Sequence, residues 1–272
     1  MKRYRHYRED KAIVLSCFGS IIEQDKYLAL KALIDEAFVD VDIFLSFSSR
    51  MILRNLHKKG MNYKNLTQVL ADVDMLGYRN IIVSSINLFP TDEHEVLKSI
   101  VNGFRHFSLA NIRYTDAILT KTKETTIFLK TLNEQVTIKD RANLYVMHGT
   151  PALELGGVES IRYSADLLEK LGISNYTCSL EGAFPFYAIK DQLIKKMFED
   201  GVKKVQIIPM LLISGNHYIK DMVEIRDELA KYFVSSIVQS SSDSDRFNLI
   251  EQEMSKDIII NSIKEEIVKL GQ

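Results

Sequence analysis

The chain has 272 residues, 46% hydrophobic and 26% charged, enough for one large or two medium globular domains. A formal net charge of −1 lacks the basic excess of a nucleic-acid binder, and no apolar run reaches the roughly 18 to 20 residues of a membrane span. The basic, aromatic start has no apolar secretion core, and the two cysteines, Cys17 and Cys178, indicate neither a disulfide framework nor a thiolate zinc site. These features predict a cytoplasmic protein with both thiols buried as small apolar groups.

In chain order, apolar runs of strand length at 11–18, 41–47, 80–89, 115–120, 142–147, 175–180, 203–213 and 235–240 alternate with helical spacing. The helical stretches are 22–38, 49–60, 63–77, 93–104, 161–172, 186–201 and 218–233. Such alternation predicts an α/β protein with doubly wound parallel sheets, and ligands in such sheets bind beyond the carboxyl ends of the strands.

An internal echo supports two similar halves. Laying the stretch from Gly77 over the stretch from Gly201 without a gap matches helix end to helix end and strand to strand, and sets Glu93 opposite His217. Likewise Phe18-Gly19-Ser20 falls opposite His148-Gly149-Thr150. The expected organisation is an N-terminal α/β domain at 1–138, a C-terminal one at 139–245 and a closing helix within 246–272, with facing strand ends forming a central cleft.

The chemistry concentrates at the strand ends. His148 follows the strand at 142–147, His217 the one at 203–213, and Glu93 the one at 80–89. Two imidazoles and a carboxylate with open positions suit a divalent first-row metal, whereas each residue taken singly reads equally well as a helix cap or anion contact. His94 is expected to point away from Glu93, and His57 to be solvated. Arg50 and Arg54 lie on nearby faces of one helix and suit a polycarboxylate ligand. No Gly-x-Ser-x-Gly, Gly-x-Gly-x-x-Gly or Walker lysine motif occurs, so no nucleotide cofactor is expected.

The stretches VMHGT, IIPMLLISGNHYIKDM, SFSSRMILRNL, INLFPTDEHEVL, SCFGS and SLEGAFP, spread over 12–235, resemble the anaerobic sirohydrochlorin cobaltochelatases of the class II chelatase superfamily. The resemblance implies two flavodoxin-like halves facing one cleft, and ATP-independent insertion of Co²⁺ into a tetrapyrrole in cobalamin biosynthesis. Ni²⁺ or Fe²⁺ are the alternative metals. It implies metal and catalytic roles for His148, His217 and Glu93, the positions selected above. Ser20 and Thr150 are expected at the cleft edge, and Arg50 and Arg54 against macrocycle carboxylates. Where that family usually carries histidine this chain has Asn87, where it has aspartate this chain has Asn216, and its Glu-Ser-Tyr-Pro run becomes Glu181-Gly-Ala-Phe-Pro with one extra residue. The family's glycine-containing ending is not evident here. The expected partner is a sirohydrochlorin-like substrate, with no nucleic acid and no membrane, and a homo-oligomer left open. A noncatalytic tetrapyrrole- or metal-binding homologue and a doubly wound protein for a phosphorylated ligand are the competing readings.

Overall fold

The computed structural model describes residues 6–154, 156–215, 218–239 and 246–270. The chain divides into two units, Met1–Ile118 with Glu253–Gln272, and Leu119–Gln252. In the first, β1 (Arg8–Cys17), α1 (Gln24–Ala37), β2 (Asp42–Phe47), α2 (Arg50–Lys58), α3 (Leu66–Leu76), β3 (Tyr78–Ile86), α4 (Asp92–Arg105) and β4 (Asn111–Tyr114) follow one another. Their strands form one parallel sheet in the order β2-β1-β3-β4. In the second, α5 (Thr122–Val136) precedes β5 (Ala142–Met147), α6 (Gly157–Leu171), β6 (Asn175–Ser179), α7 (Phe186–Glu199), β7 (Lys204–Met210), α8 (Val223–Leu229) and β8 (Val234–Ile237). Those strands form a second parallel sheet in the order β6-β5-β7-β8, so the echo in the sequence is a repeated topology.

The central strands are apolar because both faces of each sheet are covered. Ala12, Ile13, Val14 and Leu15 of β1 and Ile81, Ile82 and Val83 of β3 are fully buried, as are Leu144, Tyr145 and Val146 of β5. Register brings the strand ends level. Cys17 pairs with both Phe47 and Ile86, and Met147 with both Ser179 and Met210, so the residues that follow emerge along one rim in each unit.

Three elements differ from the sequence expectation. The apolar stretch 115–120 is no strand: β4 lies just before it, Ala117, Ile118 and Leu119 are buried, and the Ile118 amide donates to the Asn87 carbonyl just beyond β3. Helix α5 was not anticipated, and it belongs to the second unit. Asn133 accepts from Tyr145 and Asn175, and the Val136 carbonyl from Gln206, which ties the helix to β5, β6 and β7 and puts the division at 118/119 instead of 138/139. The stretch 218–233 opens with a π-helical turn, Tyr218–Met222, before α8. The closing helix, α9 (Glu253–Leu270), packs in the first unit, where Glu266 pairs with Arg113 at 2.6 Å.

Candidate functional site

In the first unit the rim beyond β1, β2 and β3 carries Ser20, Ser48, Asn87 and Glu93. Gly19, just after β1, takes the left-handed conformation (φ 97°), which turns the chain sharply into α1. Ser20 follows it, is buried, and accepts from the amides of Glu23 and Ile22 at 3.0 and 3.3 Å, so its hydroxyl closes that turn. Arg50 and Arg54 are exposed, one turn apart on α2.

Glu93 sits half-buried in the first turn of α4. Burial raises its carboxyl above the ordinary value of 4.5, and neighbouring Asp92 raises it further. The Ser48 hydroxyl, which makes no hydrogen bond of standard geometry, lies near enough to draw it partly back. Between 4.5 and the raised value the folded state holds more protons than the unfolded chain, so stability falls as pH rises through that window. Glu93→Gln is therefore expected to raise the thermal midpoint slightly at pH 7 and to lose that advantage below the window. An equal or lower midpoint at pH 7 contradicts this assignment.

His94 is not turned to solvent. It is 4% exposed, and its Nδ1 lies 2.8 Å from the Ser85 hydroxyl, which also accepts from Asn87 Nδ2 at 3.0 Å. Burial lowers its pKa, helped by Lys98 and opposed by Glu95 and Asp116, which favours the neutral ring. His57 is exposed, as expected, with Nδ1 2.8 Å from Asn62 Oδ1.

In the second unit His148 emerges at the end of β5 and is half-buried. Its Nδ1 lies 3.1 Å from the Gly149 carbonyl and 3.8 Å from Glu181 Oε1. A donor at Nδ1 places the ring's lone pair at Nε2, the tautomer suited to a metal. Glu181 is the residue that the sequence reading did not select. The end of β6 continues pairing beyond the strand, with Leu180 and Glu181 amides donating to the Met147 and His148 carbonyls. The Gly149 and Gly182 backbones then press against Glu181 and Thr150. His148 and Glu181 line a cavity of about 490 Å³ with Tyr187, Asp221, Glu224 and Glu228, and Lys190, also in its wall, bonds Glu228 at 3.2 Å. Four carboxylates against one lysine favour a cation over a polycarboxylate in that cavity. Thr150 is 3% exposed and its Oγ1 is buried without a hydrogen-bond partner.

His217 and Asn216 lie outside the described residues. The flanking chain is firmly held: the Ser214 amide donates to Asn248 Oδ1 at 2.6 Å and the Ser214 hydroxyl to the Phe247 carbonyl, and the π-helical turn starts at Tyr218. Among the described residues no three His, Cys, Asp or Glu side chains form a ready-made metal site. Cys17 and Cys178 are buried and unpaired to each other, as expected, and burial raises both thiols well above their ordinary range.

A family model for the cobalt chelatase CbiK matches residues 11–267. The chain belongs to the cobalt chelatase family. Its resemblance at the strand ends therefore extends over nearly the whole length, and it is a metal chelatase built from two parallel-sheet units. Sirohydrochlorin cobaltochelatase of Salmonella typhimurium is 23% identical to this cobalt chelatase family member over 217 residues, 78% of this chain and 80% of that protein. SirB from Bacillus subtilis with Fe³⁺ shares the fold at a TM-score of 0.65 and 16% identity, covering 94% of this chain and 95% of SirB. SirB of Bacillus subtilis subspecies spizizenii in complex with cobalt gives 0.63 and 14%, with 94% of each chain covered. Among the described residues no helix is long and apolar enough to cross a membrane.

Proposed function

We propose that this protein inserts Co²⁺ into sirohydrochlorin without a nucleotide, in the cytoplasm, and that His148, His217 and Glu93 receive the cation. The observation that carries this reading is His148 paired with Glu181 at the wall of a carboxylate-lined cavity, in a chain of the cobalt chelatase family. The reaction exchanges two pyrrolic N–H protons for one divalent cation, so charge balances if two bases near the ring take those protons. His148, with its lone pair at Nε2, serves as cation ligand, and Glu181 balances charge beside it. Glu93, held above the ordinary carboxylate range by burial, is suited to accepting a proton. Arg50 and Arg54, exposed on one face of α2, serve the substrate's carboxylates, and Ser20 and Thr150 shape the rims through backbone contacts and packing.

The test mixes purified protein with sirohydrochlorin and Co²⁺, without ATP, and follows absorbance over time. The expected result is insertion well above the protein-free rate, with Ni²⁺ and Fe²⁺ run in parallel to rank the metals. Background rates for all three overturn the enzymatic reading, and tight macrocycle binding without turnover then favours a noncatalytic homologue.

A further inference from the structure

The described rim of the first unit holds a chain of three polar side chains, Asn87, Ser85 and His94, in which the Asn87 amide donates to the Ser85 hydroxyl. Ser85, 2% exposed near the end of β3, has its amide held by the Thr115 hydroxyl at 2.9 Å. Its own hydroxyl meets Asn87 Nδ2 at 3.0 Å and His94 Nδ1 at 2.8 Å. The amide NH₂ can only donate, so the hydroxyl accepts from Asn87. The arrangement that spends its single proton sends that proton to His94 Nδ1. Asn87 is anchored through its main chain as well, by the Ile118 amide at 2.9 Å. With the nitrogen arm turned inward onto a buried hydroxyl, the oxygen arm of a half-buried amide is the one left to the rim, at the strand end where Glu93 begins α4.

We propose that Ser85 and His94 are positioning residues that lock the Asn87 amide so that its oxygen faces the divalent cation substrate as a neutral donor. The proposal rests on the chelatase reading and deepens it. It explains why a serine and a histidine with no place at the rim are buried together beneath it. A buried hydroxyl and imidazole cost desolvation unless their hydrogen bonds are made, and here those bonds run in line from His94 through Ser85 to the Asn87 amide. An unlocked asparagine can turn either arm outward, and an outward NH₂ repels a cation. The imidazole is needed as an acceptor for the serine proton and for no proton transfer of its own. Fixed supporting groups of this kind typically carry a 10- to 100-fold effect on metal affinity.

Two quantities are read on each variant: the steady-state rate of insertion into sirohydrochlorin with Co²⁺ varied, and the Kd for Co²⁺ by calorimetry. Ser85→Ala and His94→Leu are expected to raise KM and Kd for Co²⁺ by about 10- to 100-fold with kcat changed much less, since the lost interaction acts on the cation before insertion. Asn87→Leu should match them, and the double variant Ser85→Ala/Asn87→Leu should be no worse than Asn87→Leu alone, because Ser85 acts only through the amide. His94→Gln, whose side-chain oxygen can take the serine proton, should recover most of what His94→Leu loses. The proposal is overturned if the two single effects multiply, if His94→Gln is as poor as His94→Leu, or if KM and Kd stay at wild-type values throughout. A wild type that binds Co²⁺ and shows these Kd shifts yet inserts nothing supports the positioning role and rejects the chelatase reading.

Discussion

His148→Ala is expected to slow Co²⁺ insertion by at least about 100-fold and up to about 10,000-fold, the range over which a ligand or proton acceptor at the reacting centre contributes. Stability should hardly move. The ring is half-exposed at the end of β5, the hydrogen bond at its Nδ1 is local, to the carbonyl of the next residue, and it belongs to neither described core cluster. A surface change of this kind is worth about 0.5 kcal/mol or less. Far-ultraviolet circular dichroism during urea unfolding reads the second quantity, which suits a chain without tryptophan. Insertion near the wild-type rate in a fully folded variant would remove His148 from the mechanism. Glu181→Gln supplies the companion measurement, because it keeps the shape beside His148 and removes only the charge.

Much of this arrangement is written in the sequence, for identifiable reasons. Strands buried on both faces are largely apolar, so β1, β5 and β7 stand out through the runs 12–15, 144–147 and 207–210, and the glycines and polar residues that follow them mark the rims. The repeat was legible because Gly19 and Gly149 follow matching strands, and both adopt positive φ in the fold. Helix α5 was missed: Phe128, Leu129, Leu132 and Val136 share one face, but the polar residues between them hid the period, and its attachment runs through Asn133, Asn175 and Gln206, which no apolar pattern reports. The stretch 115–120 misleads for the opposite reason. It is apolar because it is buried, and burial does not require a ladder. Glu181 was passed over because its position depends on two backbones in contact, and His94 was given no role because it was expected only to point away from Glu93, when the first turn of α4 lies against β3 and the ring turns in to Ser85.

The contact behind Glu181 can be tested by one methyl group. Gly149 has φ 82°, where an L side chain is strained by about 1 to 3 kcal/mol, and an added Cβ would stand 1.8 Å from the Glu181 carbonyl oxygen. That neighbour is backbone, and it is tied to the strand ends by the Leu180 and Glu181 amides, so it cannot swing aside as a flexible side chain would. Overpacking of this kind adds about 1 to 3 kcal/mol. Gly149→Ala is therefore expected to destabilise the protein by roughly 3 kcal/mol and, in the fraction that still folds, to separate Glu181 from His148 and depress insertion. Gly60 is the control, since its φ of 80° is nearly the same but an added Cβ there meets nothing within 4 Å. Gly60→Ala carries the conformational strain alone, and the difference between the two variants in urea unfolding isolates the contact. If Gly149→Ala costs no more than Gly60→Ala and inserts cobalt at the wild-type rate, the backbone contact does not hold Glu181 in place and the carboxylate's position beside His148 must be set by something else.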